Sequence, residues 1–311
     1  METRKIGSLE ASVIGLGCNS FGWRVDEQAS ARVVDAALEA GINFFDTADV
    51  YDKGRSEEFL GRALGKRRDK VLIASKFGNT MDGAGGARPT YIQESIEKSL
   101  KRLGTDHLDL YQLHVPDPKV PLADTLGALD ALVRAGKVRE IGCSNFSAEQ
   151  LREARAAVKP GAARFVSVQN EYSLLHREPE AQMLPQSERD GVAFLPYFPL
   201  ASGLLTGKYH PGQRSPTGAR LSPKGGMAVM AERFNTRENF ALVERLRRFA
   251  EQRGHTLLEL AFSWLLARPS VASVIAGATS PEQVRHNAAA GGWRLTGADL
   301  AEIDALASRE P

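Results

Sequence analysis

The sequence predicts an α/β protein: a single (β/α)8 TIM barrel with an N-terminal β-hairpin and long loops after the third and seventh barrel strands. Eight short runs rich in β-branched and apolar residues alternate with longer segments of helical periodicity. The length of 311 residues suits one large barrel, so one domain is expected over residues 1–311. Alternation alone also fits an open doubly wound sheet. That sheet is disfavoured because residues 15–20, into which the first strand runs, lack the third glycine of a dinucleotide-binding loop.

The elements follow in order along the chain. Residues 4–6 and 9–12 flank Gly7 and Ser8, a turn sequence that predicts a hairpin able to plug the lower end of the barrel. The barrel strands are predicted at residues 13–16, 43–46, 71–76, 108–114, 140–144, 165–169, 193–197 and 272–276. Helices are predicted at residues 27–40, 57–64, 91–103, 122–134 and 148–157, with a last one at 297–307 outside the eight-fold count.

Two connections are longer and richer in glycine and proline than the others. They are residues 77–88 and 198–234, which follow the third and seventh barrel strands. In a (β/α)8 barrel both loops overhang the carboxyl ends of the strands, where the active sites of such barrels lie. Functional residues are therefore expected at this face.

Composition and charge exclude several classes of protein. With 42% hydrophobic and 25% charged residues, the chain is expected to bury a packed core. The formal net charge is +2 and the basic residues are scattered, so no nucleic-acid partner is expected. Cys18 and Cys143 form no disulfide framework and no metal-ligand spacing, which indicates a reducing cytoplasm and no metal site. Neither a signal peptide nor a run of about 18 apolar residues is present, so a membrane partner is not expected.

Four titratable side chains stand where neighbouring strands are predicted to end. Asp46 ends the second strand, Tyr51 follows five residues later, Lys76 ends the third strand, and His114 ends the fourth. Each has a structural interpretation on its own: a helix cap, a packed aromatic, a salt bridge and a hydrogen-bonded core histidine. Converging on one cavity, they instead predict an acid catalyst.

The chemistry of these four residue types explains that prediction. A free tyrosine has a pKa of about 10, so proton donation by Tyr51 near neutral pH benefits from a cation that stabilises the tyrosinate. Lys76 is expected to be that cation and to lower the pKa of Tyr51, while Asp46 keeps Lys76 charged and oriented. His114 is expected to donate a hydrogen bond to a carbonyl oxygen and so to polarise the carbonyl group.

Four segments carry a resemblance to the aldo-keto reductase superfamily in content, order and spacing: GINFFDTADVY (41–51), IASK (73–76), LYQLH (110–114) and IGCSNF (141–146). The similarity covers roughly residues 8–289. It implies a (β/α)8 barrel, NADPH more often than NADH as cofactor, a small-molecule carbonyl substrate, and the tetrad of Asp46, Tyr51, Lys76 and His114. The loop PLASGLLTGKY (199–209) is most similar to the bacterial, potassium-channel-β-subunit-like branch, which includes enzymes and regulatory subunits.

The resemblance also implies cofactor-binding residues. Ser144, Asn145 and Gln169 match positions that hold the nicotinamide carboxamide, and Tyr197 matches the aromatic that stacks on the nicotinamide ring. The loop after Tyr197 meets the diphosphate, and a helix N-terminus after the eighth strand meets the adenosine phosphate. The further implied residues are Pro199, Leu200, Ser202, Gly203, Leu205, Lys208, Arg220 on the adenine side, Gly277, Thr279, Gln283 and Asn287.

Four positions depart from the family pattern. Gly277 and Gln283 stand where many members have a lysine or arginine that selects the 2′-phosphate, so NADPH is expected with NADH as the alternative. His286 replaces a glutamate that often contacts adenine. Phe198 replaces a common serine after the stacking aromatic.

Loop position alone predicts a substrate pocket made of Phe21, Trp23, Val50, Phe77, Asn79 and Val115.

The sequence supports three functional interpretations. The first is an NADPH-dependent reductase of aldehydes or ketones, and the second is a nicotinamide-binding regulatory subunit with little turnover. The third, an aldolase with Lys76 as Schiff-base nucleophile, is disfavoured because Asp46 keeps the amine protonated. The sequence leaves the substrate, the reaction direction and the oligomeric state open.

Overall fold

Eight parallel strands form the centre of the computed structural model, which describes residues 1–79, 86–209, 221 and 232–308. A hairpin of β1 (Thr3–Ile6) and β2 (Leu9–Ser12) precedes the barrel strands β3 (Ile14–Gly17), β4 (Phe44–Asp46), β5 (Leu72–Phe77), β6 (Leu108–Leu113), β7 (Val138–Ser144), β8 (Phe165–Glu171), β9 (Ala193–Tyr197) and β10 (Val274–Gly277). Neighbours in the chain are neighbours in the sheet, and β10 pairs with β3.

The sheet closes between β9 and the segment that leads into β10. The Phe194 N–H donates to the Ser270 carbonyl at 2.7 Å, and the Phe194 carbonyl accepts from the Ala272 N–H at 3.0 Å. The predicted (β/α)8 barrel is therefore confirmed. Its last strand lies slightly later than the sequence indicates, because residues around 272 serve to close the barrel and the regular ladder with β3 starts at Val274.

Helices surround the barrel. Within the described residues they are α1 (Glu27–Glu39), α2 (Arg55–Leu64), α3 (Pro89–Leu103), α4 (Leu122–Arg134), α5 (Ala148–Ala157), α6 (Met183–Asp190), α7 (Arg237–Glu251), α8 (Leu257–Leu266), α9 (Pro281–Ala289) and α10 (Gly297–Ser308). Asp26 caps α1 by accepting from the Ala29 N–H at 2.8 Å, and Ser147 caps α5 in a capping box with Gln150. None of these helices has both the length and the apolar character needed to cross a membrane.

The lower end of the barrel is filled by apolar side chains. Alternate strand residues point inward, and those near the amino ends of the strands pack against the hairpin in one buried cluster, which comprises Ile6, Leu9, Ala11, Phe44, Ala74, Leu110, Val166, Leu195, Ala272 and Ile275. Arg4 fastens the hairpin by donating to the carbonyls of Leu266 and Val271 at 2.9 and 2.7 Å. The predicted hairpin and its position as a plug are confirmed.

Parts of the two predicted long loops lie outside the described residues, namely 80–85, 210–220 and 222–231. Arg220, implied as a contact on the adenine side, is among them. In its described part, the second loop starts with a 3₁₀ helix at Ala201–Thr206. Both loops follow the carboxyl ends of their strands, as expected of the face that carries the site.

Candidate active site

The alternation of side chains along each strand brings the tetrad together. Asp46 lies two positions after Phe44 on β4, and Lys76 lies two positions after Ala74 on β5. Each pair therefore points inward, with the polar residue above the apolar cluster. His114 comes directly after β6, and its backbone N–H continues the ladder with β5.

Lys76 is fully buried at the centre of the tetrad. Its Nζ donates to Asp46 Oδ2 at 2.6 Å, to the Thr47 carbonyl at 2.9 Å and to Tyr51 Oη at 3.3 Å. Burial by itself lowers the pKa of a lysine, but Asp46 and Tyr51 outweigh it, so the pKa of Lys76 is raised. Lys76 is therefore an ammonium directed at the tyrosine oxygen, which does not suit a Schiff-base nucleophile.

A tight left-handed turn follows Tyr51. Asp52, Lys53 and Gly54 have φ angles of 46°, 58° and 92°. Burial raises the pKa of the Tyr51 hydroxyl, and the Lys76 ammonium opposes this rise without cancelling it. The net lowering expected from the sequence is not found, because sequence alone does not reveal the desolvation of the hydroxyl. Tyr51 is protonated at neutral pH, as a proton donor must be.

His114 is a neutral imidazole. Burial, with the nearby Lys76 ammonium, lowers its pKa to about 3. Its ring meets that of Tyr51 edge-on, with centroids 5.9 Å apart. Among the described residues, no side chain or backbone group hydrogen-bonds to its buried Nδ1. A neutral histidine beside the tyrosine hydroxyl can donate one N–H to a carbonyl oxygen without adding charge to the site.

A cavity of about 760 Å³ opens above the tetrad. Asp46, Tyr51 and His114 line it, while Lys76 lies beneath them. Most residues implied as cofactor contacts line the same cavity: Ser144, Asn145, Gln169, Tyr197, Pro199, Leu200, Ser202, Gly203, Lys208, Gly277, Thr279, Gln283 and Asn287. Leu205 is fully buried in the core instead.

Hydrogen bonds join the four residues that the resemblance assigns to the nicotinamide end. Asn145 has a left-handed backbone, with a φ of 60°. Its Nδ2 donates to the His114 carbonyl at 2.9 Å and to Ser144 Oγ at 3.1 Å, and its Oδ1 accepts from Tyr197 Oη at 2.8 Å. Ser144 Oγ in turn donates to the Gln169 carbonyl at 2.7 Å. These side chains are held in fixed positions beside His114.

Two amides reach Asp46 from other strands. Gln169 Nε2 on β8 donates to Asp46 Oδ1 at 2.8 Å, and Gln112 Nε2 on β6 lies 3.5 Å from the same oxygen. Sequence reasoning missed Gln112, although a signal was present. It stands two positions before His114, so the period of a strand places both side chains on the inner face.

The opposite end of the cavity is formed at the start of α9. Ser280 caps this helix by accepting from the Gln283 N–H at 3.3 Å. Gln283 Oε1 accepts from the Thr279 N–H at 2.8 Å and from Thr279 Oγ1 at 3.2 Å. The Gln283 side chain therefore folds back onto its own loop. The resemblance leads one to expect a cation at this position, and the chain has a neutral amide there.

Further lining residues were not predicted from the sequence. They are Gly17, Asn19, Ser20, Arg24, Thr206, Leu258, Ile275 and Ala276. Gly17 ends β3, and Asn19, Ser20 and Arg24 follow it, at the same face as the carboxyl ends of the other strands. This segment lies after a barrel strand just as Asp46 and His114 lie at strand ends, so functional residues are expected there too.

None of the six predicted substrate-pocket residues is among those that line the cavity in the described structure. Phe21 and Phe77 are 0% exposed and belong to the core. Phe77 stands next to Lys76 on β5, so it points outward, where its ring packs 4.7 Å from that of Tyr111. Trp23 is 44% exposed, and Val50, Asn79 and Val115 lie near the rim without lining the cavity.

Comparison with known proteins gives consistent matches. The family model described as the aldo/keto reductase family matches residues 13–308. Aldo-keto reductase YhdN of Bacillus subtilis is 36% identical over 313 residues, which cover 96% of this chain and 90% of the relative. A probable voltage-gated potassium channel subunit beta of Arabidopsis thaliana is 33% identical over 297 residues, which cover 92% of this chain and 90% of the relative.

The fold has solved counterparts. The holo form of aldo-keto reductase AKR11C1 from Bacillus halodurans superposes with a TM-score of 0.82 at 33% sequence identity. The match covers 98% of this chain and 96% of that chain. The similarity therefore extends over almost the whole length of both chains.

Proposed function

The chain belongs to the aldo/keto reductase family, a family of oxidoreductases, and from this premise we propose that it is an NADPH-dependent reductase of aldehydes and ketones. One observation carries the proposal. A protonated tyrosine, Tyr51, lies 3.3 Å from a buried ammonium, Lys76, at the floor of a cavity that His114 also lines. This arrangement suits the delivery of a proton to a carbonyl oxygen.

The residues around the cavity fit a nicotinamide dinucleotide. Ser144, Asn145 and Gln169 offer hydroxyl and amide groups to a carboxamide, and the half-buried Tyr197 offers an aromatic face to the ring. Ser202 Oγ is buried in the loop after β9 without a hydrogen-bond partner in the described structure, in a position suited to a diphosphate oxygen. When bound, the reduced nicotinamide supplies the hydride for the carbonyl carbon.

The protein's own residues complete the reaction. Tyr51 gives its hydroxyl proton to the carbonyl oxygen as negative charge develops there. Lys76 stabilises the resulting tyrosinate, and Asp46 holds the ammonium in place through the 2.6 Å contact. Neutral His114 donates a hydrogen bond that orients the carbonyl. Lys76 and Asp46 are buried, so water screens their interaction little.

NADPH is proposed as the preferred cofactor, with NADH also accepted. Arg24 and Lys208 are cations that line the cavity in the described part of the chain, and the capped N-terminus of α9 favours an anion. Gln283 is neutral and turned toward Thr279, so the preference for the 2′-phosphate is expected to be modest. The proposal includes a small-molecule carbonyl substrate, a cytoplasmic location, and no nucleic-acid or membrane partner.

The decisive experiment is a panel of aldehydes and ketones assayed by NADPH absorbance, with NADH in parallel. Tyr51→Phe is expected to reduce kcat by roughly 10³-fold, because proton donation is lost while binding is kept. Tyr111→Phe is the matched control, since this buried tyrosine on β6 has no hydrogen-bond partner in the described residues. Undiminished turnover in Tyr51→Phe would overturn the mechanism.

The alternative is a nicotinamide-binding regulatory subunit with little turnover. The similarity to a protein named as a probable potassium channel β-subunit supports this alternative. Tight NADPH binding without cofactor oxidation across the whole panel would support the regulatory subunit over the reductase.

A further inference from the structure

Asp46 divides its two carboxylate oxygens between different partners. Oδ2 accepts from Lys76 at 2.6 Å, whereas Oδ1 accepts from Gln169 at 2.8 Å and faces the Gln112 amide at 3.5 Å. A carboxylate held through both oxygens is fixed in its plane as well as its position. The amides on the far side of Asp46 therefore influence the direction in which Lys76 is held.

Gln112 occupies a position where an apolar residue would be the simpler choice. It is 0% exposed, and the inward residue before it on β6 is Leu110, part of the apolar cluster. Its Oε1 has no hydrogen-bond partner among the described residues. Burying an unpaired amide oxygen costs stability that a methionine of similar size would avoid. The amide is thus not explained by packing.

The neighbouring strand leaves room for this side chain. On β7, a Cβ added at Gly142 would lie 3.2 Å from Gln112 Cγ and 2.2 Å from Ser167 Oγ. Any larger residue at 142 would displace Ser167 Oγ and press on the stem of Gln112. The glycine of the IGCSNF segment therefore leaves room for both side chains.

We propose that Gln112 is a positioning residue that, together with Gln169, fixes the Asp46 carboxylate so that Lys76 stays directed at Tyr51. The inference rests on the proposed reductase function of the same tetrad. Gln169 lines the cavity, so it also joins the nicotinamide end to Asp46. Gln112 does not line the cavity and acts through Asp46 alone.

The test compares Gln112→Met with Ser167→Ala. The first removes the amide donor at nearly constant volume, and the second shortens a neighbouring buried side chain whose Oγ has no hydrogen-bond partner in the described structure. Gln112→Met is expected to lower kcat about tenfold while KM and the Kd for NADPH stay within about twofold of wild type. Its kcat–pH profile is expected to move to higher pH, because a carboxylate with one donor fewer opposes the tyrosinate more strongly. Ser167→Ala is expected to match wild type.

A second readout needs neither cofactor nor turnover. The difference in tyrosinate absorbance between each protein and its Tyr51→Phe counterpart isolates the titration of Tyr51. This titration is expected at higher pH in Gln112→Met and at the wild-type position in Ser167→Ala. Thermal melting checks that the variants are folded, and Gln112→Leu replaces Gln112→Met if the latter melts early.

Coupling to Asp46 separates positioning from general packing. In an Asp46→Asn background, Gln112→Met is expected to have no further effect on kcat, because its route of action is already broken. An additive loss in that background, or unchanged kcat and tyrosine titration in Gln112→Met, would overturn the inference. If wild type turns over no carbonyl, the reductase proposal fails, and the tyrosine titration still decides the role of Gln112.

Discussion

The same strands line both ends of the barrel, and on each strand the two inward residues are only two positions apart. The two ends nevertheless differ in polarity, charge and hydrogen bonding. Phe44, Ala74 and Leu110 fill the lower end with apolar atoms. One step up the same strands, Asp46, Lys76 and Gln112 fill the upper end with charge and hydrogen bonds. One inward-facing periodicity therefore supports an apolar layer and a catalytic-type polar layer on the same strands.

The two layers contribute to stability with opposite sign. Burying an apolar side chain of this size contributes about 1.5–3 kcal/mol, whereas burying an ion pair costs several kcal/mol of desolvation that the pair itself only partly returns. The lower layer and the hairpin beneath it therefore offset the cost of the polar layer. Three changes separate these contributions.

The largest effect is expected from Lys76→Met. It removes the cation beside Tyr51, so kcat is expected to fall roughly 10³-fold, and it leaves Asp46 as an unpaired buried charge, which costs about 3–5 kcal/mol of unfolding free energy. Adding Asp46→Asn is expected to restore most of the stability and none of the turnover. Denaturant unfolding and steady-state kinetics measure the two effects. Recovery of turnover in the double variant would show that the unpaired Asp46 charge, and not the missing cation, caused the loss of kcat.

Phe44→Ala is the matched change in the lower layer. The cavity left behind is expected to cost about 3–5 kcal/mol of unfolding free energy. Because Phe44 does not line the active-site cavity, kcat is expected to stay within about twofold of wild type wherever the variant is folded. Circular dichroism fixes that temperature range. A large loss of kcat in folded protein would mean that the lower layer also positions the tetrad.

The smallest of the three effects concerns pH. The pKa of His114 is about 3 in the folded protein, against 6.5 ordinarily, so between these values the unfolded chain binds one proton more. Stability is therefore full above pH 6.5 and falls as the pH is lowered toward 3. Between pH 7 and 5.5 the loss from this residue is expected to be about 1 kcal/mol. His114→Gln should lack that component in unfolding curves measured at the two pH values, and an equal slope in both proteins would contradict it.

The sequence predicts the skeleton of the upper layer well. Alternating strands and helices place Asp46, Lys76 and His114 at strand ends, and the structure has them there because parallel strands of a barrel all end at one face. Side chains alternate along each strand, so Phe77 points outward next to the inward Lys76, and Gln112 shares the inner face with His114. These two points were available in the sequence and needed only the inward register of each strand.

Other properties were not available from residue types. The direction in which the pKa of Tyr51 shifts depends on how completely the hydroxyl is buried, and burial is a property of the folded packing. The left-handed backbone of Asn145 and the hydrogen bond from the Thr279 N–H to Gln283 Oε1 depend on local geometry. Residue types at these positions are compatible with more than one such geometry.

The hairpin that plugs the barrel also sets an order of events during synthesis. Arg4 donates hydrogen bonds to the carbonyls of Leu266 and Val271, and Ile14 pairs with Val274. Residues near the start of this sequence therefore make contacts that form only after residues 266–274 have been synthesised. Until those residues emerge from the ribosome, the first barrel strand has an unpaired edge and Arg4 of the hairpin lacks its carbonyl partners. The incomplete barrel therefore exposes apolar surface while the middle of the chain is translated. Chaperone binding and translational pausing at that stage are expected to have their greatest effect on the yield of folded protein.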